Sequence, residues 1–227
     1  MRTLIYVPIV HTSADLGSLA KEVAKRGIAD LGEEIWKEHR RTVDGFWDAL
    51  IDYFESIDVS GIKIYQDGMV AEDEIGQKIV EEGLKAGSRN YELVSSLLKR
   101  GAFLVKTEDF KLVKKEHDRL LEITQATTII AKFLSFIRYK LIKNTLLNKR
   151  DSFIVRRINE TLNQGEKGVL FIGAYHNIKR RLPKNIQIRE IKDSDKVREY
   201  QKLLPFYNKH KKRFEELTSY LIAKVEA

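Results

Sequence analysis

Five short apolar segments, beginning near Thr3, Ile62, Ala102, Val169 and Ile186, are each followed or preceded by a long connection with helical patterning. Antiparallel neighbours can be joined by a two-residue turn, whereas parallel strands need a crossover of a dozen residues or more. This spacing predicts an α/β fold: a mostly parallel central sheet of about five strands with flanking helices. The run from Gly168 to His176 (GVLFIGAYH) sets its middle. Val169 to Ile172 are too few for a helix and are apolar without alternation, as a strand covered on both faces requires. Gly173 then removes a Cβ where the chain turns or is closely approached, and His176 falls just beyond the strand's carboxyl end. In open α/β sheets that edge is where ligands bind.

Between the strands, apolar residues recur at helical spacing. A first helix is expected from the N-cap candidates Thr12 to Asp15 through Leu16, Leu19, Ala20, Val23 and Ala24, with Gly27 at its end. A second spans Gly32 to Ile57, and His39 within it reads as a surface residue. Two more run from about Ala71 to Lys85 and from Ser88 or Asn90 to Arg100. The stretch 110–149 carries no strand signal, while Leu120, Leu121, Ile130, Phe133, Leu134, Ile137, Leu141 and Ile142 recur every three or four residues. It reads as a helical insertion of one long helix or two, with His117 on its surface. A further helix is expected from Asp151 or Ser152 to Leu162, where Asp151 would cap the N-terminus. Ile186, Ile188 and Ile191 alternate as in an outer strand, and 194–227 is helical with a break near Pro205. The whole is expected to form one domain, 1–227.

Composition narrows the chemistry. The chain has no cysteine, so a metal site would have to use His, Asp or Glu. There is no Gly-x-Gly-x-x-Gly, no P-loop and no Gly-x-Ser-x-Gly, so neither a nucleotide cofactor nor a serine elbow built on Ser13 or Ser18 is expected. No cleavable leader and no bilayer-length apolar run is visible, so a cytoplasmic protein without a membrane partner is expected. The net charge of +8 divides unevenly, with 14 Lys/Arg against 20 Asp/Glu through Phe110 and 27 against 13 beyond it. The basic clusters Lys179-Arg180-Arg181 and Lys209 to Arg213 lack interleaved aromatic residues, so no nucleic-acid partner is expected.

Two strands end in histidines, His11 and His176, and two in carboxylates, Asp67 and Glu108. Taken singly, each has a plain structural account: a hydrogen-bonded histidine at a strand end, or a turn-forming Asp67-Gly68. Taken together on one sheet edge, His11, Asp67 and His176 form a ligand set suited to a divalent ion such as Mn, Fe, Co or Zn, with His11 and His176 serving as ligands or general base and Asp67 or Glu108 completing the set. Arg150 is a candidate anchor for an anionic substrate group.

These features resemble the TraB/Tiki superfamily, which also includes the EreA/ChaN-like proteins. The resemblance rests on the paired strand-end histidines, on Arg150-Asp151 ahead of the second motif at Gly173 and His176, and on the helical insertion between the motifs. Pro8 stands where that pattern has glycine in the first motif, and Gln66-Asp67 stands where it has glutamate. The resemblance implies a metal-dependent hydrolase-like protein cleaving an ester or amide in a small-molecule or peptide substrate. The alternative is a non-catalytic binding or regulatory module of the same fold that uses the basic C-terminal half.

Overall fold

The computed structural model describes residues 1–12, 14–15 and 20–226, the side chains of Ile129 and Lys132 excepted. The expected helix positions Leu16 and Leu19 and the weighed nucleophiles Ser13 and Ser18 lie outside the described residues. Five strands, β1 (Arg2–Ile9), β2 (Lys63–Gln66), β3 (Phe103–Val105), β4 (Lys167–Gly173) and β5 (Ile186–Glu190), form one sheet in the order β3-β2-β4-β1-β5. Every pairing is parallel. The fold is α/β, with β4 in the centre.

Helices cover both faces: α1 (Ala20–Leu31), α2 (Glu33–Glu55), α3 (Asp73–Lys85), α4 (Arg89–Lys99), α5 (Phe110–Gln125), α6 (Ile129–Thr161), α7 (Ser194–Leu203) and α8 (Lys211–Ile222). Side-chain alternation divides the core between the faces. Ile5, Val7 and Ile9 of β1, with Val169 and Phe171 of β4, pack under Phe46, Trp47 and Leu50 of α2, Leu93 and Leu97 of α4 and Phe214 of α8. On the other face Leu4, Tyr6, Leu170 and Ile172 meet Ile154 and Ile158 of α6 and Leu162 just beyond its end. Gly168 permits that second contact, since a Cβ there would lie 2.9 Å from the Tyr65 ring and 3.3 Å from Leu162.

Three expectations are corrected. Gly27 does not end α1: it lies inside the helix, where a Cβ would meet the Trp36 ring at 2.4 Å. The helix ends instead at Gly32, whose φ of 86° only glycine adopts readily. His39 is half-buried rather than on the surface, stacked on Tyr200 and bonded to its hydroxyl at 2.8 Å, and burial pushes its pKa down to about 4. The third correction concerns α6, which runs unbroken through Arg150 and Asp151, so that the expected insertion and the helix before β4 are one element. Asp151 therefore caps nothing, and its carboxylate is free for another use.

Candidate functional site

The strand order creates one crevice. From β2 the chain moves outward to β3, whereas from β4 it crosses over β1 to reach β5. The connections leave β2 and β4 in opposite directions, and a gap opens at the carboxyl ends of these two neighbours, which is the usual ligand position in such sheets. Asp67 follows β2 directly and its N–H continues the ladder to the Phe171 carbonyl at 2.9 Å. Gly173 ends β4, and His176 follows after one turn closed by its own N–H to the Gly173 carbonyl at 3.0 Å. His11 follows β1 on the far side of β4.

The loop after β3 is stitched beneath Asp67. The N–H groups of Thr107 and Glu108 both donate to the Met69 carbonyl at 2.9 Å, the Gly68 N–H donates to Glu108 Oε1 at 3.0 Å, and the Thr107 hydroxyl accepts from the Gln66 N–H at 3.0 Å. These bonds hold Glu108, which has no solvent exposure, against the guanidinium of Arg150 from α6. Arg150 donates through Nε to Glu108 Oε2 at 2.6 Å and through Nη2 to Asp67 Oδ1 at 2.7 Å and to Glu108 Oε1; through Nη1 it donates to Glu116 of α5. With its N–H groups spread over three carboxylates, Arg150 organises the acidic groups of the crevice. It is not the open anchor for an anionic substrate that the sequence suggests.

Asp67 is the centre of the cluster. Its Oδ2 accepts from the Gly173 N–H at 3.0 Å and lies 3.7 Å from His176 Nε2 and 3.9 Å from His11 Nε2. A Cβ on Gly173 would fall 3.1 Å from that oxygen and 3.7 Å from each imidazole. The glycine is thus required by close approach, not by a special φ. Its replacement, Gly173→Ala, is expected to leave the fold intact at a cost of about 1 kcal/mol while displacing Asp67 and altering both histidine side-chain NMR signals. Unchanged imidazole signals would mean that the crevice has slack and the glycine no role in it.

His176 is held from behind. Its Nδ1 lies 2.6 Å from Asp151 Oδ1, and the other oxygen of Asp151 accepts from the Asn177 N–H at 3.0 Å. A carboxylate on Nδ1 fixes the tautomer and turns Nε2 toward Asp67, the second partner a ligating or proton-carrying histidine commonly has. Burial opposes protonation of His176, but Asp67 and Asp151 outweigh it and raise its pKa. Burial likewise opposes ionisation of Asp67, yet His176, Arg150 and His11 together hold its carboxyl well below the usual range. Glu108 goes the other way, raised chiefly by burial and by the neighbouring Asp67 charge. The three carboxylates around Arg150 and the one behind His176 leave the crevice acidic in sum. His11 is the open member, with its side chain 38% exposed. Beside it lies a cavity of about 490 Å³ bordered by Thr12, Trp36, Arg40, Val43 and Arg89.

The structure thus brings together all five residues singled out from the sequence, His11, Asp67, Glu108, Arg150 and His176, and adds two. Glu116 carried no sequence signal beyond its place on a helix, whereas Asp151 was in view but assigned to capping. Among the described residues, no group of three His, Asp or Glu side chains is placed so that it could hold a metal ion. The two imidazoles instead rest on one Asp67 oxygen. Compared with protein-family models, with curated proteins and with solved structures, the chain finds no match.

Proposed function

We propose that the crevice is the centre of a metal-dependent hydrolase-like protein in which His11, Asp67 and His176 hold one divalent ion, Mn, Fe, Co or Zn. The observation that carries the reading is the convergence of two imidazole Nε2 atoms on Asp67 Oδ2, at 3.7 and 3.9 Å, beside a glycine with no Cβ. Ligands sharing an ion at about 2.0–2.2 Å from each lie roughly 3–3.6 Å apart, so each imidazole would have to close on Asp67 Oδ2 by a few tenths of an ångström. The surplus of carboxylates favours a cation there. When bound, such an ion would polarise an ester or amide carbonyl and lower the pKa of a water.

The chain's own residues divide the remaining tasks. Asp151 orients His176 and keeps its Nε2 directed at the crevice. Arg150 takes Asp67 Oδ1 and Glu108, leaving Asp67 Oδ2 to face the imidazoles. His11, exposed beside the cavity, is the group that a small-molecule or peptide substrate would reach first, as ligand or general base. Glu108, buried and with its pKa raised, lies against Arg150 and retains a proton more readily than Asp67. The resemblance to the TraB/Tiki superfamily supports the same chemistry. The alternative, a binding module using the basic C-terminal half, has less support because one residue of each cluster is already paired: Lys179 with Glu190 at 2.7 Å and Arg213 with Glu199 at 2.6 Å.

The test is calorimetric titration of tag-free, chelator-treated protein with Mn²⁺, Co²⁺ and Zn²⁺, followed by a panel of ester and amide substrates. Wild-type protein is expected to bind one ion and the His11→Ala and His176→Ala variants none. No binding by the wild-type chain at millimolar ion would sink the metal reading.

A further inference from the structure

Helix α6 begins far from the crevice with a feature that the candidate chemistry does not use. Ile130, Phe133, Leu134, Phe136, Ile137 and Leu141 are all exposed, Ile130 at 74% and Leu141 at 76%. Positions 130, 134, 137 and 141 form a single stripe at helical spacing, and Phe133 and Phe136 widen it. The opposite side of the helix is anchored: Leu146 is buried, and the Tyr139 hydroxyl donates to Glu116 of α5 at 3.3 Å. The apolar stripe therefore faces away from the rest of the protein. A contiguous exposed apolar surface of this kind marks an interaction site.

Charge identifies what covers it. From Ile123 to Lys149 the sequence holds five Lys/Arg and no Asp or Glu. Arg138 borders one side of the stripe, and Lys140 and Lys143 border the other, all exposed. An apolar stripe flanked by long cationic side chains is the pattern of a helix that lies in a membrane interface, its stems against acyl chains and its charges at the headgroups. A second copy of the same helix would bring like charges together, which disfavours self-association. No helix among the described residues is long and apolar enough to cross a bilayer, so the arrangement fits a helix lying on the membrane.

We infer that the N-terminal half of α6 docks on an anionic lipid surface, with the stripe from Ile130 to Leu141 inserted between headgroups and Arg138, Lys140 and Lys143 pairing with lipid phosphates or carboxylates. This departs from the expectation of no membrane partner, and it is independent of the metal reading.

Sedimentation with phosphatidylcholine vesicles, with and without phosphatidylserine, tests it on the full chain. Binding to the anionic vesicles is expected to exceed that to neutral ones by about tenfold or more and to weaken with salt. The double variants Ile130→Ser/Leu141→Ser and Lys140→Glu/Lys143→Glu are each expected to lose at least about tenfold. All four positions are exposed, so the variants should fold, which circular dichroism checks. Because the chain has no cysteine, a fluorophore on Leu134→Cys gives a second reading, a blue shift with anionic vesicles that salt reverses. Absence of binding, equal binding to both vesicle types, or full binding by the variants would each overturn the inference. So would a wild-type dimer in solution that the Ile130→Ser/Leu141→Ser change converts to a monomer.

Discussion

Arg150→Met is expected to destabilise the protein by about 3–5 kcal/mol near pH 7. The guanidinium is shared among Asp67, Glu108 and Glu116, and the side chains of Arg150, Asp67 and Glu108 are each at most 10% exposed. Removing it leaves carboxylates without their counter-charge where water cannot replace it. Arg150→Lys keeps a charge but loses the planar fork that reaches three partners, and an intermediate loss of roughly 1–3 kcal/mol is expected. The sign of the pH dependence follows from Glu108. Burial already raises its folded pKa, and loss of Arg150 raises it further. A carboxyl raised in the folded state stabilises fully below its unfolded pKa of about 4.3, and that contribution is lost as pH rises through the folded value. The deficit of Arg150→Met should therefore shrink as pH falls from 7 toward about 5. Urea unfolding at the two pH values measures this. A deficit below about 1 kcal/mol, or one that ignores pH, would show that the carboxylates are solvated without the arginine.

The same residue explains why part of the site could be read from sequence and part could not. Strand-end residues are legible because a strand buried on both faces announces itself by composition, and whatever follows it must lie at the sheet edge. Asp67, Glu108, His11 and His176 were found in this way. The helical residues were harder, since a helix presents every polar side chain at some angle and only packing selects one. Lys149-Arg150-Asp151-Ser152 has the look of a helix start, with an acidic residue near an N-terminus, but α6 passes straight through it. Once the helix is continuous, Asp151 needs another partner, and His176 supplies it. Glu116 faces Arg150 only because α5 folds back along α6, a tertiary fact with no local trace. The recurrence of Ile130, Phe133, Leu134, Ile137 and Leu141 marks the stretch as helical and no more. Periodicity reports amphipathicity, not what covers the apolar side, and here α5 covers the other one.

Asp67→Asn separates the electrostatic role of the central carboxylate from its shape. The amide can still accept from the Gly173 N–H, but it no longer offers charge to Arg150 or to the two imidazoles. If His11, Asp67 and His176 share an ion, affinity should fall by at least about 100-fold, since even partners one step removed from a metal are commonly worth 10- to 100-fold. In chelated protein the stability difference should itself depend on pH, and two groups set its window. Asp67 has a depressed folded pKa, so its contribution is present above the unfolded carboxyl value of about 3.9 and is lost as pH falls below it. His176 has a raised folded pKa, so its contribution is full below about 6.5 and fades as pH rises through the folded value. The wild type should exceed the variant most between these limits, from about pH 4 to about pH 6.5, with a smaller advantage on either side. Chemical denaturation of both proteins across this range gives the profile. A difference that is flat with pH would mean that His176 is neutral in the folded protein, held by Asp151 alone, and that Asp67 serves the crevice only by its hydrogen bonds.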